Sequence, residues 1–251
     1  MLEVALILFG TIIASAAMAI GIGGGILWTP LLILVYKLSP AEAISTSLFI
    51  QVAGLGSGTL AYSRAGLVKK KLSVIFFLIA LPGIIIGSFI TINLPQQAVQ
   101  MALGIMAMTL AILFVASNQD SDQNTKSSYN ASEIRNVAPI PFTFGFIMGF
   151  LSLGISEWLI PALRTKLKME MPQAIGTSIA MMFMLALVAS AVHFYLNETV
   201  HVKIIVLGAI GTLIGGQIGP RISQRINDKL LQQSFIYLMT LIGIHLIFQA
   251  I

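Results

Sequence analysis

The chain has no cysteine, and only 9% of its 251 residues are charged. The first absence excludes disulfides, thiolate chemistry and cysteine metal sites. The second leaves too little charge to clothe a water-exposed surface, since soluble domains carry about 25% charged residues. No GxxxxGK[ST] stretch is present, so no phosphate-cradling loop for ATP is expected. With three histidines and few carboxylates, a dehydrated metal site would be short of ligands. No cofactor is expected either. The opening residues, MLEVALILFG, contain Glu3 and neither Lys nor Arg. That is a poor n-region for a cleaved signal peptide, and the stretch is expected to be retained.

What is there is hydrophobic: 57% of residues, with a mean hydropathy of +0.95. Apolar segments recur at 2–21, 26–36, 41–62, 72–92 and 97–116, then at 139–155, 157–163, 172–196, 202–220 and 231–250. Between the two sets lies SNQDSDQNTKSSYNASEIRN, with the composition of a solvated linker. These runs describe an all-α integral membrane protein whose first membrane repeat is 1–116, linker 117–138 and second repeat 139–251. The net charge of +5 does not point to nucleic acid, because the basic residues fall in short loops, where they set topology.

Segment lengths run long, short, long, long, long on both sides of the linker. At a spacing of 131, Gly23 lies over Gly154, Pro30 over Pro161, Ala43-Ile44 over Ala174-Ile175 and Thr46-Ser47 over Thr177-Ser178. Further on, a spacing of 128 sets Gly83-x3-Gly87 on Gly211-x3-Gly215. This ordered self-similarity is read as duplication. In the first half the basic loop, SRAGLVKKK, comes before the fourth segment and NLPQQ after it carries no charge. In the second half NETVHVK has one lysine, whereas PRISQRINDK has Arg221, Arg225 and Lys229. Equivalent loops therefore face opposite sides, so the halves are expected to be inverted repeats. The linker and RTKLK at 164–168 fall inside and both termini outside, in the cell (inner) membrane. Because the linker is inside, the Asn130-Ala131-Ser132 glycosylation pattern is discounted.

The short segments 26–36 and 157–163 do not span comfortably, so each half is read as a broken or re-entrant hairpin plus three transmembrane helices. Non-helical backbone at membrane depth belongs where it is buried in protein or lines a cavity. Paired breaks in inverted repeats point to a transporter binding site. GIGGGILWTP, 21–30, is the first break and LGISEWLIP, 153–161, the second. Glycines let free N–H groups converge on an anion, which makes Gly21, Gly23, Gly24 and Gly25 candidate ligands. The alternative is close helix packing. Thr46, Ser47, Thr177 and Ser178 either donate to a bound oxyanion or return their hydroxyls to their own helices; their repetition favours binding. Gln51 and Gln217 either line the pathway or link helices. Trp28 and Trp158 stand beside the breaks as walls or plugs.

The glycine-rich break, the proline after it, AEAISTSLF at 41–49, the basic loop and the second copy QAIGTS at 173–178 resemble the TauE/SafE family of sulfite and organosulfonate exporters. The resemblance covers nearly the whole chain and implies transport of small anions such as sulfite, sulfonates or related organic acids. One departure concerns the second break, which is glycine-rich in the family. Here Ile155, Ser156 and Glu157 stand where the first half has Gly24, Gly25 and Ile26.

Ser156 joins the candidate substrate ligands. Glu157 is a candidate proton-coupling group, or else an interfacial residue paired with Arg164 or Lys168. His193, aligned with Tyr62, is a second proton-coupling candidate, although an interfacial aromatic-belt role is favoured. His245 is read as structural. Ser57 in GLGSG is the one candidate nucleophile for an intramembrane hydrolase, but no third residue orients a histidine base. Close packing through Gly54, Gly56 and Gly58 explains it better, so no catalytic residues are expected. The expected function is a secondary transporter of small anions by alternating access, with proton coupling through Glu157 or His193. The competing class is a cation or divalent-metal transporter using Glu157. The expected partners are the small anion and the lipid bilayer.

Overall fold

Where no water reaches the backbone, a chain must close its hydrogen bonds within each segment. The computed structural model of this protein describes residues 2–21, 23–116, 131–153, 156–196, 199–222, 237, 240–241 and 243–248. These are helices and short connections, with no strand among the described residues. In the first half α1 is Leu2–Ile20, α2 Gly25–Leu34, α3 Pro40–Arg64, α4 Lys70–Asn93 and α5 Gln96–Ala116. Then come α6 (Ala131–Val137), α7 (Pro139–Leu151), α8 (Ser156–Thr165), α9 (Met171–Tyr195) and α10 (Val202–Ile222). Five described helices are long and apolar enough to cross a membrane: Pro40–Arg64, Lys70–Thr91, Ile134–Leu151, Met171–Tyr195 and Val202–Ile222. The protein is a multi-pass membrane protein.

The helices fall under the hydropathy segments, with one addition. α6 is helical inside the stretch read as linker, and residues 117–130 lie outside those described. The two short helices have ten residues each, about 15 Å at 1.5 Å per residue. That is half a hydrocarbon core of ~30 Å, so neither spans it alone.

Matching positions in the two halves share backbone detail. α1 and α7 end alike, with Gly21 N–H donating to Ala17 O and Ser152 N–H to Met148 O, both at 2.9 Å. Gly21 and Ser152 both take positive φ, +86° and +59°. α2 and α8 both close with the bond from C″ to C3 of a Schellman motif: Leu38 N–H to Leu32 O and Met169 N–H to Leu163 O, each at 3.2 Å. The left-handed residue is Lys37 in one and Lys168 in the other. Tyr62 Oη donates to Met18 O at 2.8 Å, and His193 Nε2 meets Gly149 O at 2.9 Å. Every one of these pairs is 131 residues apart.

The long buried helices α3 and α9 pack on each other. Near the start of α3, Thr46 Oγ1 accepts from the N–H of His201, the residue before α10, at 3.4 Å. Near the start of α9, Thr177 Oγ1 accepts from the N–H of Lys69, the residue before α4, at 3.1 Å. Since α10 follows the end of α9, and α4 the end of α3, the two long helices run antiparallel.

The fourth helices are exchanged. α1 packs chiefly on α10, and α7 on α4. Glycines bring the backbones together at both seams, the small-residue contact common in membranes. A Cβ on Gly83 would strike Phe142 O and Phe146 N; one on Gly215 would meet Thr11 O and Ser15 N. Gly87 faces Phe146 O and Phe150 N, and Gly219 faces Ser15 O and Ala19 N. Gly83 therefore corresponds to Gly215 and Gly87 to Gly219, a spacing of 132. The spacing of 128 expected from sequence is corrected by one helical turn. Glycines at 211, 215 and 219 repeat every four residues, so a match set one turn early looked equally good. GLGSG does serve packing: Gly54 meets Thr212, Gly56 meets Phe183 and Gly58 meets Met18.

Gly215→Ala places a methyl into the α1–α10 seam and is expected to cost about 1–3 kcal/mol, read as a lower Tm in detergent. Leu213→Ala, on the exposed face of the same helix, is the control and should leave Tm nearly unchanged.

Candidate functional site

The breaks leave helix ends where water is scarce, and the first four N–H and last four C=O groups of a helix have no intrahelical partner. In the first break the donors stay bare. The N–H groups of Gly23, Gly24 and Gly25 have no acceptor among the described residues. All three glycines are buried. Trp28, 1% exposed, has no partner for its Nε1. Its Cδ1, the ring atom bonded to Nε1, lies 3.5 Å from where a Cβ on Gly24 would sit. Three backbone donors thus stand at one helix start, whose dipole adds partial positive charge, with the indole packed beside them. One turn on, the buried hydroxyl of Thr29 is also unpartnered. Pro30, lacking an N–H, cannot close α2 back onto Ile26.

In the second break the acceptors at the end of α7 are answered by side chains from elsewhere. Gly149 O accepts from Ser88 Oγ at 3.4 Å and from His193 Nε2. Phe150 O accepts from Thr91 Oγ1 at 2.6 Å, and Ser152 O from Gln51 Nε2 at 3.2 Å. Gln51 Nε2 also lies 2.7 Å from Ser152 Oγ and 3.2 Å from Ser47 Oγ, and the two serine oxygens are 3.2 Å apart. Gln51 Oε1 is buried and has no donor. Gly25 connects the two breaks: its Cα lies so close to Ser152 O and the Gln51 amide that no Cβ fits.

Ser47 and Gln51 are thus brought together with Ser152, which sequence reasoning did not single out. The available signal was that Ser152 occupies the position of Gly21, where a polar side chain replaces none. Thr46 and Thr177 tie helix starts to the loops before α10 and α4. Ser178 is fully buried with an unpartnered hydroxyl. The residues matching Ser152 and Gln51 in its surroundings are Gly21 and Met182, which offer it nothing. Gly21 packs on Ile160 and Ile175 instead. Ser156 and Glu157 begin α8, and their side chains lie outside those described.

The aromatic-belt reading of His193 is corrected. The residue is fully buried, and its Nε2 carries the proton because Gly149 O can only accept. Counting along the segment put it near the interface, but the early end of α7 frees a carbonyl that needs it inside. Gln217 links helices: Nε2 donates to Ser57 O and Oγ at 2.8 and 2.9 Å, while Ser57 donates to Leu213 O. Ser57 and His193 take different partners, so no catalytic pair forms between them. Glu42, also unanticipated, caps α3 through Ser39 and lies 3.5 Å from His201 Nε2. No cluster of three or more His, Cys, Asp or Glu side chains occurs among the described residues.

The chain is similar to known membrane transporters. A family model described as sulfite exporter TauE/SafE matches residues 6–246. The chain is similar to "Probable membrane transporter protein YunE" of Bacillus subtilis, 26% identical across 99% of this chain and 98% of that one. It is 24% identical to a "Probable membrane transporter protein" of Xylella fastidiosa (strain Temecula1), covering 96% and 93% of the two chains. "Probable membrane transporter protein YjnA" of Bacillus subtilis is 25% identical over 89% and 93%. No solved structure matches.

Gly24 and Gly25 are expected to behave differently. A Cβ at Gly24 meets only ordinary contacts, so Gly24→Ala should keep the wild-type Tm. Gly25→Ala forces its methyl into Ser152 O and should cost about 1–3 kcal/mol, measured by thermal unfolding of the two variants side by side.

Proposed function

The chain belongs to the sulfite exporter TauE/SafE family, and on that footing we propose that it is a secondary transporter of a small anion, either sulfite, an organosulfonate or a related organic anion. The observation that carries this reading is the set of unpaired donors at the first break: the N–H groups of Gly23–Gly25 and Trp28 Nε1. Buried donors without acceptors are costly, and a bound oxyanion would supply the missing acceptors. Backbone N–H groups and a helix dipole hold such an anion without a formal positive charge. A cation would gain nothing from them. Ser178, whose hydroxyl is free to donate, is the proposed contribution of the second half.

The two halves are proposed to be inverted repeats, a reading supported by the bonds they share at a spacing of 131 and by the antiparallel run of α3 and α9. Because α4 and α10 are exchanged, the bodies that rock in alternating access are proposed to be α1–α3 with α10 and α7–α9 with α4. They would slide along the α3–α9 contact, with the substrate between the breaks. Both termini are proposed to face outward in the inner membrane, and Glu157 to carry any coupled proton.

The test is uptake into proteoliposomes of labelled sulfite, a sulfonate, a short carboxylate and a divalent metal, with and without an inward proton gradient. Uptake of a sulfur oxyanion or sulfonate is expected; uptake of the metal alone overturns the reading. Trp28→Phe keeps an aromatic side chain and deletes one donor to a charged ligand, about 1.5–3 kcal/mol, and should raise the apparent KM about tenfold or more. Glu157→Gln should alter the pH profile of uptake, and an unchanged profile removes Glu157 from proton coupling.

A further inference from the structure

The amide of Gln51 is surrounded by the wrong atoms. Its Nε2, with two protons, has three oxygens around it: Ser152 Oγ at 2.7 Å, Ser152 O at 3.2 Å and Ser47 Oγ at 3.2 Å. Its Oε1 has no donor, although Gln51 is only 2% exposed. The nitrogen's place is fixed by Ser152 O, which can only accept. Turning the amide over would set Oε1 against Ser152 O, which can only accept, and among two serine hydroxyls that can donate to it; a cation there would meet all four oxygens at once. The two serine oxygens, 3.2 Å apart, have the separation of neighbouring ligands on a hard cation with bonds of about 2.4 Å. They sit at the C-terminal end of α7, where the helix dipole is negative.

We propose that Ser47 Oγ, Ser152 Oγ, Ser152 O and Gln51 Oε1 form a binding site for an alkali cation, sodium, which enters as the Gln51 amide rotates. All four ligands are neutral oxygens. That suits a monovalent ion; a divalent one would need formal negative charge to offset its desolvation. None of the four ligands titrates near neutral pH, so a proton cannot take the ion's place. The other half has Gly21, Ser178 and Met182 at the matching positions and keeps only one side-chain oxygen. There is accordingly one site, not two.

Its position gives it a use that rests on the anion-transport reading. Ser47 and Gln51 belong to α3, and Ser152 to the end of α7, so the ion ties together the two bodies proposed to move. Gly25 touches both Ser152 O and the Gln51 amide, which places the cation against the start of α2 and the donors there. Opposite charges on either side of one residue attract strongly at low dielectric. Each ion then raises the affinity of the other by the same factor.

The binding test needs no substrate. The purified full-length protein is unfolded thermally in detergent at equal ionic strength in sodium or choline chloride. Sodium should raise Tm saturably, and choline should not. Gln51→Met and Ser152→Gly, each introducing the residue already found at the matching position, should fold and lose the sodium increment. Gln51→Glu should reach half-saturation at a sodium concentration at least tenfold lower. Equal Tm in the two salts, or an intact increment in Gln51→Met, overturns the site. Sulfite uptake indifferent to a sodium gradient would overturn the coupling and leave the anion reading standing. A sodium increment without uptake of any sulfur anion would keep the cation site and overturn the anion reading instead.

Discussion

Every helix ends with carbonyls and begins with N–H groups that its own backbone cannot satisfy, and hydrocarbon offers them nothing. A straight transmembrane helix delivers these ends to water. This protein stops four helices short: α1 and α7 at their C-termini, α2 and α8 at their N-termini. Much of its buried polarity follows from that. Tyr62, His193, Ser88, Thr91 and Gln51 each lie 44 or more residues from their acceptor, yet each turns to a carbonyl at the end of α1 or α7. The acceptors have been provided for. Among the described residues the donors of Gly23–Gly25 have not, and this asymmetry supports the anion site proposed at the first break.

The glycine seams are the second consequence of working in lipid. Apolar side chains gain little from one another when the surroundings are equally apolar, so close backbone approach and hydrogen bonds hold the helices. α1 on α10 and α4 on α7 use the same device at matching positions. Thr212, Ser57 and Gln217 add side-chain bonds between α3 and α10.

The helical membrane fold was largely legible because hydropathy and the doubled phrase around Thr46-Ser47 and Thr177-Ser178 each report on long segments. The first break was legible too, from Gly21, Gly23 and Gly24, although the stretch read as broken extends too far: α2 already begins at Gly25 and contains Pro30. Other features depend on what lies across the structure. Ser152 looks like an ordinary serine until Gln51 arrives from α3. His193 could not be placed without knowing where α7 ends. The repeat register slipped at Gly211, Gly215 and Gly219 because a four-residue ladder matches itself at every rung. Thr46 and Thr177 were found from their repetition, but their bonds to the N–H groups of His201 and Lys69 concern loops that sequence spacing does not connect.

The exchanged fourth helices also govern how the chain is made. Gly10 rests against Gly208 and Gly211, so α1 meets its main neighbour only after nearly the whole described chain has been synthesised. At 5–20 residues per second, that is a wait of about 10–40 s. Throughout it the Gly10 face of α1 lacks the α10 backbone it packs on. α7, in contrast, finds α4 already in place as it emerges. Two seams that look alike in the finished protein therefore close under different conditions, and the N-terminal one is where assembly is slowest and most exposed to a wrong partner.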